Sequence, residues 1–281
     1  MSGNIQQPVV PLEDLYEDVL GKAMRGLGIS VEVLVARSGL TREAIAAVLE
    51  GEFDVEVVAA LAPVLNLNAS SLVAMGKKQW QPQTPAIDGV AMFNTPYPGM
   101  TVNAYLIWDP KSKDAFLFDT GTDARAMLEM INNAQLKARA IFLTHTHRDH
   151  IMDLERLQQA LPDVPVYVGR KEPVDGAMPV DDQQQFVFGD ISIEARLTSG
   201  HSIGGISYIV TGLDRPVAVV GDALFASSMG GGMISWADAL ANNRSKLFTL
   251  PDDTVVCPGH GPMTSIGEEK EHNPCYPEFK M

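Results

Sequence analysis

Basic residues are scarce in this chain and cysteine is nearly absent. Lys and Arg number 21 against 35 Asp and Glu, a net charge of −14, so the molecule's field repels phosphate backbones and anionic lipid. Nucleic acid and membrane are therefore not expected partners. Two cysteines, Cys257 and Cys275, cannot build a disulfide framework and fit a reducing compartment. No apolar run approaches the roughly 18 residues that a membrane helix needs. The N-terminus lacks the basic and apolar regions of a signal peptide and carries Pro8 and Pro11 early, so a cytoplasmic location is expected. Low-complexity tracts and internal repeats are missing too. What is present, 46% hydrophobic and 20% charged residues, is a globular composition, and 281 residues at roughly 150 per domain predict two domains.

The pattern changes near residue 80. Before it, apolar residues recur at helical spacing; after it, β-branched runs alternate with helical stretches. Gln79 to Pro85 (QWQPQTP) is the predicted linker between domains 1–80 and 81–281. The first segment predicts five short helices, at about 12–26, 30–37, 41–50, 54–65 and 69–75, with Ser30 and Thr41 as N-caps. The link Arg37-Ser38-Gly39-Leu40-Thr41 is short and contains Gly, as a helix-turn-helix requires. Residues 14–76 resemble the small helical domain of the Cro/C1 repressor type. Residues 1–80 carry six basic and ten acidic groups, and the would-be recognition helix TREAIAAVLEG offers only Arg42 to DNA. Dimerisation, as in a homodimer, or docking is the role expected of this unit; a transcriptional regulator would need a basic face that the sequence does not supply.

The second segment predicts strands at VAMF, NAYLIW, AFLFDTG, AIFLTH, VYVG, QFVFG, ISIEARL, ISYIV, PVAVVGD and TVVCPGH. Helices are expected from 123, from 150 and over 237–248. This is an α/β arrangement, two sheets with helices outside: a four-layer αββα sandwich preceded by a small all-α domain.

Three of the six histidines fall in THTHRDH, residues 144–150, directly after the apolar run AIFL. On an extended strand end His145 and His147 point the same way, and Asp149 and His150 open the next helix, where its dipole favours a carboxylate. His201 (SGHSIGG), Asp222 (GD) and His260 (PGHGP) each follow another apolar run beside Gly, which lets the backbone approach an ion. Five of six histidines are thereby expected at one centre, with the first pair sharing one metal and Asp149 and His150 serving a second. Cys257 ends a β-branched run and is expected to be buried and structural, and packed or surface positions are expected for Cys275 and His272. Met229-Gly230-Gly231-Gly232-Met233 is expected to be a flexible wall over a substrate or a mobile connector. Arg148 is expected to pair with a carboxylate of the protein or of a substrate.

HTHRDH followed in order by separate GH, GD and PGHGP elements resembles the metallo-β-lactamase superfamily, and within it the hydroxyacylglutathione hydrolase (glyoxalase II) type, over about residues 86–275. The resemblance implies one metal on His145, His147 and His201, a second on Asp149, His150 and His260, and Asp222 bridging both. It also implies that Asp119, in Asp119-Thr120-Gly121, supports the metal loop without binding metal. Histidine and carboxylate without thiolate suit zinc, with iron or manganese also fitting. The expected chemistry is attack of a metal-bridging hydroxide on the carbonyl of a small thioester, ester or lactone, with Asp149 and Asp222 catalytic and no Ser or Cys nucleophile. Only 21 residues follow His260, with Lys270 and Lys280 the only basic ones, so the basic groups that hold glutathione carboxylates in longer members have no counterpart here. The nearest rival is a mononuclear iron persulfide dioxygenase of the same superfamily. A β-lactamase is disfavoured by the N-terminus, and a nuclease by the net charge.

Overall fold

The computed structural model describes residues 10–83 and 87–280. The first nine residues lie outside the described residues, as do Thr84 and Pro85 of the expected linker.

Five helices come first: α1 (Tyr16–Leu27), α2 (Val31–Ser38), α3 (Arg42–Leu49), α4 (Val55–Val64) and α5 (Ala69–Gly76). Ser30 and Thr41 cap α2 and α3 through their hydroxyls, and Asp54 and Asn68 cap α4 and α5. The first helix starts later than its spacing predicts. Residues 12–15 are not helical, because the Asp18 carboxylate accepts the Leu15 N–H at 2.9 Å and closes the N-terminus there. The segment Val10–Leu15 instead runs irregularly along the second domain. On α3 the one cation, Arg42, is taken by Glu32 at 2.5 Å.

The rest of the chain forms two six-stranded sheets. The first holds, in spatial order, β1 (Val90–Tyr97), β2 (Met100–Trp108), β3 (Asp114–Phe118), β4 (Lys137–Phe142), β5 (Val166–Gly169) and β6 (Ala177–Val180). The second runs from β7 (Gln185–Phe188) through β8 (Ile191–Leu197), β9 (Ile206–Thr211), β10 (Val217–Gly221) and β11 (Val255–Pro258) to β12 (Thr264–Ser265). The short β6 and β12 are not visible in the hydrophobic pattern. Helices α6 (Arg125–Asn133), α7 (Arg148–Ile151) and α8 (Leu154–Ala160) follow β3 and β4, and α9 (Trp236–Asn242) and α10 (Ile266–His272) flank β11 and β12. Among the described residues no helix is long and apolar enough to cross a membrane.

Period-two alternation divides the core. On β3 and β4, Phe116, Phe118, Ala140 and Phe142 face the space between the sheets, while Ala115, Leu117, Ile141 and Leu143 face α6 and α8. On β10 and β11, Val217, Val219, Val255 and Cys257 face inward, while Ala218, Val220 and Val256 face the opposite way. That outer face is covered by α9, the C-terminal segment and the N-terminal helices, all in one continuous cluster. The five-helix unit is thus part of the fourth layer rather than a separate bead. Cys257 and Cys275 lie in different clusters, both free and buried, and burial pushes both thiols up. His272 stacks on Trp80 at 4.4 Å between ring centroids and fastens the start of the linker to α10.

Candidate metal centre

All the candidate ligands sit at loop ends on one edge of the sandwich. His145 and His147 lie in the loop after β4, not on the strand itself, yet the loop brings them together: His145 Nε2 and His147 Nδ1 are 3.0 Å apart. His201, from the loop after β8, places Nε2 at 3.0 Å from the same His147 nitrogen and 3.3 Å from Asp222 Oδ2. A second set stands beside the first. His260 Nε2 is 3.3 Å from Asp149 Oδ2 and 3.4 Å from Asp222 Oδ2, and His150 Nε2 is 3.6 Å from Asp149 Oδ2 and 3.3 Å from Asp222 Oδ1. Ligand atoms within each set, His145/His147/His201/Asp222 and Asp149/His150/His260, lie within 4.8 Å of one another.

Divalent cations fit these sets for a reason visible in the hydrogen bonds. One nitrogen of His147 faces two other imidazole nitrogens, and a single proton cannot satisfy both contacts. His150 Nε2 and Asp222 Oδ1 are buried and face one another at 3.3 Å without a well-directed hydrogen bond to any described residue. Such orphaned atoms are costly unless an ion completes them. Electrostatics agrees. Burial opposes a charge on His150, but Asp222 and Asp119 overcome it and push the imidazole up to about 10; burial likewise opposes a charge on His260, which Asp222 and Asp149 push up to about 11. Asp222 is held well below the usual carboxylate range by His260 and His150 against its own burial. Burial drives His145 and His201 down, keeping them neutral and ready to donate a lone pair. The two protons on His150 and His260 stand where cations would bind.

Three of the imidazoles, those of His150, His201 and His260, are oriented from behind, as is usual for metal-binding histidines. His150 Nδ1 pairs with Asp119 Oδ2 at 2.8 Å, and Asp119 also accepts the Thr144 N–H and hydroxyl, both at 2.7 Å. Asp119 does this at φ 56°, a conformation rare for a residue other than Gly, which turns its carboxylate back under the histidine loop. His260 Nδ1 donates to the Thr101 carbonyl at 2.6 Å. Two residues along on the same face of β2, Asn103 holds the Pro258 and Gly261 carbonyls, and Tyr105 holds that of Pro258. Gly259 is required by crowding, since a Cβ there would fall 2.2 Å from Asp222 Oδ1 and 2.6 Å from His150 Cε1.

Two supports have no signature in the sequence. Glu172 accepts the Thr146 N–H at 2.8 Å with one oxygen and the Gly204 N–H at 2.8 Å with the other, joining the loop of His145 and His147 to that of His201. The second is the glycine run, expected as a flexible wall over a substrate or a mobile connector, two of whose glycines are closely packed. Gly231 O accepts from His201 Nδ1 at 3.0 Å; a Cβ on Gly230 would fall 2.0 Å from Asp222 O, and one on Gly232 would fall 2.4 Å from Trp236 Cα. Gly230 and Gly232 are there because the backbone must pass close to Asp222, His201 and Trp236, whereas a Cβ on Gly231 would meet open space. Arg148 is exposed and makes no ion pair with any described residue, so the expected partner within the protein is not found among them.

Glu269 of α10 shapes the same region from beneath. It is fully buried, accepts the Ser227 N–H, the Asn273 amide and the Thr264 hydroxyl, and burial pushes it up to about 8. It is therefore protonated in the folded protein at neutral pH, while the unfolded chain ionises near 4.5. Its contribution to stability is complete below about 4.5 and is lost as pH rises toward 8. Glu269→Gln keeps the acceptor oxygen and cannot ionise. The variant is expected to gain at least about 2 kcal/mol relative to wild type between pH 5 and pH 8, read as the difference in metal-free unfolding free energy; a difference independent of pH would exclude a buried neutral acid.

The sequence pattern of the metallo-beta-lactamase superfamily matches residues 97–260, ending on His260 and leaving the helical unit outside. A probable metallo-hydrolase of Streptococcus pyogenes is 31% identical over 199 residues, covering 61% of this chain and 84% of its own. The crystal structure of ETHE1 from Myxococcus xanthus is similar with a TM-score of 0.59 and 27% identity, over 67% of this chain and 85% of that one. A di-iron-bound form of TTHA1623 is similar with a TM-score of 0.53 and 27% identity, over 65% of this chain and 98% of that one.

Proposed function

Because the chain belongs to the metallo-β-lactamase superfamily, we propose that it is a dinuclear metal-dependent hydrolase of a small thioester, ester or lactone. The observation that carries this reading is the pair of adjoining ligand sets with the doubly engaged Asp222 between them. His145, His147 and His201 would hold one ion, Asp149, His150 and His260 the other, and Asp222 both. Divalent ions held there supply Lewis acidity, which acidifies water toward neutrality and polarises a carbonyl oxygen. The donor set of imidazole and carboxylate suits zinc, and the di-iron neighbour keeps iron in play beside manganese.

The chain's own residues supply the rest. Asp149 commits Oδ2 to His260 and His150, leaving Oδ1 to orient water and take its proton. Asp119, Gly231 O and the Thr101 carbonyl hold three imidazoles by their Nδ1 atoms, so each presents Nε2 inward without reorganising during reaction. Neither cysteine competes as nucleophile, since both thiols are buried and pushed up. Protein loaded with a defined metal and screened on S-lactoylglutathione, simple thioesters and lactones is expected to hydrolyse at least one class, with two metal ions per chain.

The likeness to ETHE1 fits a second reading, a mononuclear iron persulfide dioxygenase. One iron per chain in protein purified without added metal, together with oxygen uptake on glutathione persulfide and no hydrolysis, would replace the first reading with this one.

A further inference from the structure

An acidic residue that this scheme leaves idle lies against the loop that carries His260, and it comes from the N-terminal segment. Residues Val10–Leu15 cross the loop that carries His260: a Cβ on Gly261 would lie 3.1 Å from Glu13 N and 3.4 Å from Glu13 Cβ. One residue on, Asp14 is buried and takes the Lys22 ammonium of α1 at 2.5 Å. The same ammonium donates to the Met229 carbonyl at 2.9 Å and lies 5.2 Å from the centre of the Phe225 ring, which meets the His260 imidazole edge-on at 5.6 Å. The segment is therefore clasped at both ends of one short path, to the loop after His260 and to the loop that follows Asp222. Burial pushes the Glu13 carboxyl up to about 7, against the positive charge of His260, which draws it down.

The two neighbouring acids differ in one respect. Asp14 has its cation, whereas Glu13 is half-buried and forms no hydrogen bond or ion pair with any described residue. A partly desolvated carboxylate without a partner is unfavourable, and a cationic group arriving beside it gains a charge-assisted hydrogen bond stronger than one made in open water. On the clasped segment itself the nearby cation, Lys22, is already bonded twice and is not free to welcome a carboxylate.

We propose that Glu13 is a specificity-determining residue of the centre, its carboxylate receiving a protonated amine on a substrate bound there, so that the N-terminal unit supplies one wall of the substrate site. This rests on the metal centre of the proposed function and adds the substrate class: amine-bearing esters or thioesters are favoured and carboxylate-bearing ones disfavoured. It also gives the segment before α1 a reason to be held so firmly against the His260 loop.

The test uses full-length, metal-loaded protein and three thiols that share a sulfur anchor for the metal and differ in the tail: 2-aminoethanethiol, 2-mercaptoethanol and 3-mercaptopropionate. Binding is read by calorimetry, independently of turnover. Wild type is expected to bind the aminothiol about tenfold more tightly than the carboxylate thiol. Glu13→Gln should weaken the aminothiol by about tenfold and leave mercaptoethanol unchanged, and Glu13→Lys should reverse the order, with metal content and thermal midpoint preserved in both. Equal affinities across the three in wild type, or one common factor of change in the variants, would overturn the proposal. Failure to hydrolyse any ester or thioester, with the tail preference intact, would overturn the hydrolase reading alone.

Discussion

Asp222→Ala is expected to reduce turnover at least about a thousandfold and to lose bound metal, while the five N-terminal helices stay folded. Among the described residues Asp222 is the side chain whose oxygens approach ligand atoms of both sets, at 3.3 Å from His201 Nε2, 3.4 Å from His260 Nε2 and 3.3 Å from His150 Nε2. Removing it leaves the imidazoles of the first set facing one another with no anion between them, and takes away the largest of the charges that keep His150 and His260 protonated. Neither ion can then be held with its full complement. Wild-type protein should be stabilised by added metal by about 4 kcal/mol at a thousandfold excess over its dissociation constant, and that increment should vanish in the variant. Asp222→Asn separates charge from shape: the amide fills the space but points a donor or a neutral oxygen at the imidazoles, so metal content and turnover should fall nearly as far. Circular dichroism at helical wavelengths should be unchanged, because Asp222 is not part of the cluster that packs the helices. Normal turnover with full metal content in Asp222→Ala would refute its bridging position.

The seven ligand candidates were legible because their chemistry is dense in a chain poor in histidine: four in one hexapeptide, three of them histidines, and the other three each beside Gly after an apolar run. The five helices were legible because their caps and apolar spacing are local. What escaped depends on contacts between distant segments. Nothing around Glu172 marks it as the clamp between two loops, since its partners Thr146 and Gly204 lie 26 and 32 residues away. The glycine run reads as mobile by composition, yet Gly230 and Gly232 answer to crowding against Asp222 and Trp236. Glu13 reads as one more acid on an acidic helix, and only the early stop at Leu15 sets it on the His260 loop.

One signal did point to the tertiary arrangement. The run Val217–Gly221 is apolar throughout and buried along its whole length, as a strand must be when both faces are covered. Its inner face meets the other sheet, so its outer face demanded helices. The second domain covers part of that face with α9, α10, the segment 247–250 and the C-terminal segment, and the N-terminal unit packs into the same cluster.

That arrangement implies that the two units unfold together. Trp236 at the start of α9 abuts Gly26 of α1, where a Cβ would fall 2.3 Å from the indole. Met229, Phe248 and Tyr276 are buried in the same cluster as Tyr16, Leu20, Leu61 and Leu72. The Asn68 N–H donates to the Pro274 carbonyl at 2.8 Å, and Lys280 reaches the Ser71 hydroxyl at 2.6 Å. Burying a large apolar side chain contributes about 1.5–3 kcal/mol, so four such residues on the catalytic side account for at most roughly 6–12 kcal/mol, comparable with the whole stability of an ordinary domain. Undocking the helices therefore costs about as much as unfolding the protein. A single calorimetric transition is expected, with near-ultraviolet, far-ultraviolet and metal-release signals coincident. Deleting residues 1–80 should strip the outer face of the second sheet and give aggregated protein. Two resolved transitions, or a soluble metal-binding fragment from residue 81 onward, would show instead that the helical unit is an independent module resting on its neighbour.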